Sequence, residues 1–193
     1  MRILVVDDET DLELLIRQKF RKQIQNGTYS FVFAHNGVEA LEHLKTHHDI
    51  EVVLTDINMP EMDGLTLLVK LGELDRVLRA VVVSAYGDLD NIRTAMNRGA
   101  FDFLTKPIDF TDLEVTVEKT IKQVTQLRQA LHEHARLEAY QRELEMARTM
   151  QQSILPRAFP LFPARTEFDV FAEMIPARMV GGDFYDIFLV DDD

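Results

Sequence analysis

Five residues able to do chemistry stand at the ends of short apolar runs. Asp7 and Asp8 follow Ile3, Leu4, Val5 and Val6; Asp56 follows Val52, Val53, Leu54 and Thr55. Ser84 follows Ala80, Val81, Val82 and Val83, and Lys106 comes just after Phe101 to Leu104. Each has an ordinary explanation when taken alone. Asp56 could be a turn residue that bonds the next backbone N–H groups, Asp8 a charge at a helix N-terminus, Ser84 a turn residue and Lys106 a solvated one. Brought together, they describe something else. Carboxylates gathered within a few ångströms cannot all stay ionised without a cation or a large pKa cost. Oxygen ligands with positions to spare for water suit Mg²⁺. One metal, one ammonium, one hydroxyl donor and one candidate carboxylate nucleophile make a site for a phosphoryl group.

The elements that must position these residues can be read from the same sequence. β-branched apolar runs such as Val52-Val53-Leu54 read as strands buried on both faces. Further runs at Phe31 to Phe33, Ala80 to Val83 and Phe101 to Leu104 alternate with amphipathic stretches. Those stretches carry Leu14, Leu15 and Ile16, then Val38, Leu41 and Leu44, then Leu65, Leu68 and Leu71, then Ile92, Ala95 and Met96. Thr10 and Glu13 have the spacing of a capping box at the first helix. Five strands alternating with five helices predict an α/β fold, a doubly wound parallel sheet. In such a sheet ligands bind at the carboxyl ends of strands, which is where all five residues fall. With strand order 2-1-3-4-5, strands one and three are neighbours and Asp7, Asp8 and Asp56 converge.

Residues 1–122 resemble a response-regulator receiver domain of two-component signalling. The resemblance rests on "VVDDE" (5–9), "LTDINMPEMDG" (54–64), "VVVSAY" (81–86) and "FDFLTKP" (101–107). It implies a flavodoxin-like fold and a phosphoryl group accepted on Asp56 from a sensor histidine kinase. It implies Mg²⁺ held by Asp8, Asp56 and the Asn58 backbone carbonyl, with Asp7 assisting through water. Lys106 would pair with phosphoryl oxygens and Ser84 would hydrogen-bond one of them. Phe103 would turn inward when Ser84 moves, and Lys106-Pro107 would be a cis peptide. Ser84 stands where Thr is commoner and keeps the hydroxyl. Two rivals share the sheet and fail: a flavin or dinucleotide binder needs a Gly-rich first turn that "DDETD" lacks, and a haloacid-dehalogenase-like phosphatase needs an Asp where Asn58 stands.

Neither Gly nor Pro occurs from 109 to 155. A continuous helix over 109–155 would reach about 70 Å, more than one sheet face needs. Val117, Ile121, Val124, Leu131 and Ala135 keep a 3-4 spacing that predicts a coiled coil and a homodimer through this linker helix. A second register follows through Leu137, Tyr140, Leu144, Ala147 and Ile154, with a stutter-like slip near 132–136.

The texture changes at 156, where prolines break the chain and "VGGDFYDIFLV" (180–190) reads as a glycine turn between strands. Residues 156–193 are too few to bury a core of their own and read as the start of a second domain. "LEMARTMQQSILP" (144–156) with "MIPARMVGGDFYD" (174–186) resembles the opening of a stage-II-sporulation-type, metal-dependent (PP2C-like) serine phosphatase. That resemblance implies a phosphoserine regulator of the anti-anti-sigma type as substrate. It implies Asp183 as a metal ligand for Mn²⁺ or Mg²⁺, in a site that stays incomplete within these 193 residues. A diguanylate cyclase fits less well, because Phe184 and Tyr185 follow the Gly-Gly-Asp. A second reading of the output is an adaptor with a degenerate phosphatase domain that binds a sigma factor or its regulator.

Composition narrows the classes further. A formal charge of −12 argues against a nucleic-acid surface, which needs a basic face. No apolar run approaches a membrane span. The absence of cysteine excludes disulfides and thiolate metal sites, and fits a cytoplasmic protein. The histidines are scattered; His132 and His134 point different ways on a helix and read as solvated surface.

Overall fold

The computed structural model describes residues 1–85, 88–156 and 159–190. The chain divides into two units, Met1–Gln129 and Ala130–Asp193. The first is built on five parallel strands, β1 (Arg2–Val6), β2 (Ser30–Ala34), β3 (Ile50–Asp56), β4 (Arg79–Ala85) and β5 (Asp102–Lys106), in the order β2-β1-β3-β4-β5. The helices are α1 (Asp11–Lys19), α2 (Arg21–Gln25), α3 (Gly37–Thr46), α4 (Gly64–Gly72), α5 (Leu89–Asn97) and α6 (Phe110–Ile154). The flavodoxin-like fold and its strand order are those expected. The first crossover differs in having two helices, because the chain turns at Phe20, whose fully buried ring anchors it.

Side chains alternate across a strand, so a strand covered on both faces is apolar at every position. Leu4, Val6, Val53 and Val82 pack with α3, α4 and α5 residues such as Leu44, Leu67 and Ala95. Ile3, Val5, Val52, Leu54, Val81 and Val83 pack on the other face with Ile16 and Phe20, and with Leu113, Val117 and Val124 of α6. The two layers cover both faces of the sheet.

Two expectations about helices need correction. The Thr10–Glu13 capping box does not form: Thr10 has helical backbone angles and no side-chain cap, and Glu13 pairs with Arg17 at 2.7 Å. The seam assigned to a second chain is largely taken by the protein's own sheet. Val117 and Val124 are 0% exposed within the core, and Ile121 packs against it. A 3-4 spacing describes an apolar stripe without saying what covers it. Arg128, which interrupts that stripe, pairs with Glu51 at 2.7 Å.

In the second unit the later register of α6 is exposed at Leu137, Tyr140 and Leu144. Among the described residues 156 and 159–190 no strand or helix forms, so the expected strands around 180–190 are absent there. Phe184 and Phe188 are 77% and 74% exposed. No helix among the described residues is long and apolar enough to cross a membrane.

Candidate functional site

The parallel register aligns Val6 of β1 with Thr55 of β3, so Asp7 and Asp56 leave adjacent strands side by side. Asp7, Asp8 and Asp56 each offer a carboxylate oxygen, and the three atoms lie within 4.8 Å of one another. Asp7 and Asp56 are buried and Asp8 is exposed. Lys106, at the end of β5, reaches across with Nζ 2.7 Å from Asp56 Oδ2, 3.1 Å from Asp7 Oδ2 and 3.6 Å from Glu9 Oε2. Four of the expected residues therefore meet at one edge. Glu9 joins them although sequence reasoning gave it no role; its place directly after Asp8 was the available signal.

Backbone donors fix the carboxylates. Asp56 Oδ1 accepts from the Ile57 N–H at 2.6 Å, and Asp7 Oδ1 from the Glu9 N–H at 2.8 Å. Asp7 Oδ2 is buried without an aligned hydrogen-bond donor among the described residues, its 3.1 Å approach to Lys106 being an ion pair only. Burial, the largest cause, pushes the Asp7 carboxyl above the usual carboxylate range, while the Glu9 amide and Lys106 oppose this. Burial would lower the Lys106 ammonium. Its hydrogen bond to Asp56 and the negative charges of Asp56 and Asp7 outweigh it and hold that ammonium above its ordinary value.

These residues fit a divalent cation. The donor set is all oxygen, which suits Mg²⁺. Three carboxylates beside the one Lys106 ammonium leave an excess of negative charge that a divalent cation would balance.

Ser84 is fully buried near the end of β4, and its hydroxyl contacts Asp88 Oδ2 at 3.3 Å. Asp88 also accepts from Asn91 at 2.9 Å, a partnership with no visible sequence signal. Phe103 lies on edge strand β5 and is 40% exposed, so its ring is turned outward. The Lys106–Pro107 bond is cis. Asn58 follows the strand, with its N–H 3.4 Å from Asp56 Oδ1. Tyr86 of the "VVVSAY" motif lies outside the described residues.

The turn after Asp56 depends on a glycine. Gly64 donates its N–H to Ile57 O at 2.9 Å, and a Cβ on Gly64 would stand 2.0 Å from the Asp56 carbonyl oxygen. Asp63 caps the following helix by accepting from Thr66 N–H at 2.6 Å. Together these close the loop that carries Asp56.

Asp183 belongs to the second unit. It joins no group of three metal-capable side chains among the described residues. The neighbouring Gly181 exchanges hydrogen bonds with the Gln151 amide, N–H to Oε1 at 2.8 Å and Nε2 to the carbonyl at 2.7 Å. Tyr185 Oη lies 2.9 Å from Ala172 O and 3.2 Å from Pro156 O.

Comparison with known proteins locates the same region. Residues 3–118 match the family model described as the response regulator receiver domain. The chain is 32% identical over 118 residues to sporulation initiation phosphotransferase F of Bacillus subtilis, covering 61% of this chain and 91% of that protein. It is 34% identical over 120 residues to the chemotaxis protein CheY of the same organism, covering 62% and 97%. Among solved structures, a response regulator receiver domain protein from Clostridium thermocellum superposes with a TM-score of 0.58 at 28% identity, covering 65% of this chain and 98% of that one.

Proposed function

This chain belongs to the response regulator receiver family of two-component signalling through residues 3–118, and from that premise we propose that Asp56 is its phosphoacceptor. The observation that carries the reading is the 2.7 Å Lys106–Asp56 contact inside the Asp7, Asp8 and Asp56 cluster. An oxygen of the Asp56 carboxylate attacks the phosphorus of a phosphohistidine on a sensor kinase, the P–N bond breaks, and the imidazole leaves. An acyl phosphate remains on Asp56. Asp7, Asp8, Asp56 and the Asn58 carbonyl would hold Mg²⁺, which supplies charge neutralisation for the phosphoryl oxygens. Lys106 exchanges its Asp56 contact for a phosphoryl oxygen. Ser84 exchanges Asp88 for another, and Phe103 turns into the space Ser84 leaves. Phosphoramidate carries the same P–N bond, so with Mg²⁺ it should add one phosphoryl group to this chain by intact mass. Asp56→Asn should take none. Equal labelling of that variant would assign the chemistry elsewhere.

The output reading rests on sequence. Residues 144–156 and 174–186 support a PP2C-like serine phosphatase domain that requires residues beyond these 193, with Asp183 as one ligand of Mn²⁺ or Mg²⁺ and a phosphoserine regulator protein as substrate. The adaptor with a degenerate phosphatase site stands beside it. Metal-dependent hydrolysis of a phosphoserine protein by a longer chain, lost in Asp183→Ala with Asp56 phosphorylation intact, distinguishes the two. Pairing of two chains is assigned to the exposed register of Leu137, Tyr140 and Leu144 rather than to Val117 and Val124, which the receiver core occupies. Light scattering should then report twice 22.3 kDa.

A further inference from the structure

The amino end of the sheet carries a cavity, about 500 Å³ in volume, between the C-terminal turns of α3 and α4. Leu41, Leu44 and Leu74 give it apolar walls, and Lys45, Lys70 and Arg76 stand on its lining. This volume is in the range of small-molecule sites, which combine apolar walls with a few placed polar groups. Glu73 is taken up by Lys70 at 3.1 Å. Asp75 offsets one of the remaining two cations, so the lining is net positive on a chain of charge −12.

Arg76 is the unusual member. Its Nη1 reaches His47 O only at 3.5 Å, while Nε and Nη2 are buried and have no hydrogen-bond partner among the described residues. Nε and Nη2 form the edge of a guanidinium that grips a carboxylate with two parallel hydrogen bonds. Leaving that edge buried and unmet is costly, and burial holds the Arg76 pKa below its ordinary value. The single long bond to His47 O restrains the side chain weakly. A modest rotation would present the open edge to the cavity that Arg76 already lines.

We propose that this cavity binds a small amphipathic carboxylate, its hydrocarbon part on Leu41, Leu44 and Leu74 and its carboxylate on the Nε–Nη2 edge of Arg76. The site lies on residues that the phosphoryl chemistry does not use, and it stands or falls independently of Asp56.

Octanoate is the probe, titrated into the ¹⁵N-labelled chain, with octanamide as the uncharged match of equal length. Saturable shifts at Leu41, Leu44 and Leu74 and at the Arg76 Nε–H resonance are expected. Octanoate should be preferred by about tenfold or more, as one charge-assisted pair provides. Arg76→Gln should remove that preference while octanamide binding stays as it was. Equal binding of octanoate and octanamide, or shifts that never saturate, would overturn the proposal. So would tighter binding of acetyl-Leu-Glu-Leu-amide than of octanoate, which would make the ligand an acidic peptide. Should Arg76→Gln fail to fold, the wild-type comparison of octanoate with octanamide decides alone.

Discussion

Replacing Gly64 with Ala puts a methyl group where the Asp56 loop has no room. The added Cβ would stand 2.0 Å from the Asp56 carbonyl oxygen, 3.0 Å from its carbon and 3.1 Å from Ile57 Cα. All three atoms are backbone, so no side-chain rotation relieves the overlap. Overpacking of this kind costs about 1–3 kcal/mol. Losing the 2.9 Å Gly64–Ile57 hydrogen bond adds about 1 kcal/mol. With a mid-range urea slope of about 2 kcal/mol per molar, the unfolding midpoint should fall by about 1–2 M. Phosphorylation should suffer as well, because moving a nucleophile by about 1 Å costs on the order of 100-fold in rate. Gly72→Ala is the internal control. A Cβ there meets nothing within 4 Å at the end of α4, so Ala should raise stability by up to about 1 kcal/mol. Urea denaturation and the initial rate with phosphoramidate measure both variants. A Gly64→Ala protein with wild-type midpoint and rate would refute the placement of the Asp56 carbonyl against this glycine.

Other expectations follow from the same geometry. Because burial raises the Asp7 carboxyl, its contribution to stability is present below the unfolded-state pKa of about 4 and is lost as pH rises through the higher folded value. Mg²⁺ affinity should therefore weaken on acidification through that folded value, and in Asp7→Asn the urea midpoint should stop responding to Mg²⁺. Lys106→Ala leaves Asp7 and Asp56 without their shared cation; discounted for partial exposure, the loss should be about 1–3 kcal/mol in EDTA. The same loss should shrink when Mg²⁺ is added. Val124→Asp buries a charge in the receiver core and should cost more than about 3 kcal/mol by chemical denaturation. Leu137→Asp with Tyr140→Asp should instead leave that core intact and halve the mass seen by light scattering. A folded, monomeric Val124→Asp would return the pairing seam to the first half of α6.

The sheet was legible because its central strands are buried on both faces: in β1, Ile3 and Val5 serve one layer, Leu4 and Val6 the other, and no polar position interrupts them. The site was legible for a related reason. Chemistry in an open parallel sheet collects at strand ends, and Asp7, Asp56 and Lys106 could be placed by counting to where the apolar runs stop. What the sequence hid depends on which of several available partners each residue meets once the chain has folded. Val117 and Val124 have the same spacing whether a second chain or the protein's own β-sheet covers them. Thr10 and Glu13 have capping-box spacing, yet Glu13 finds Arg17 one turn on. Asp88, just before α5, meets Ser84 near the end of β4. The Gly64 requirement comes from the Asp56 carbonyl eight residues earlier, which no local pattern announces.

The central claim is that Asp56 takes the phosphoryl group in a cation-holding cluster with Lys106 beside it. Acyl phosphates are reduced by borohydride to an alcohol that survives digestion, so the modified residue can be read directly by peptide mass spectrometry. After treatment with phosphoramidate and Mg²⁺, the reduced product should appear at Asp56 alone and should vanish when EDTA replaces Mg²⁺. Modification at Asp7 or Asp8 in place of Asp56, or equal labelling in EDTA, would contradict the account.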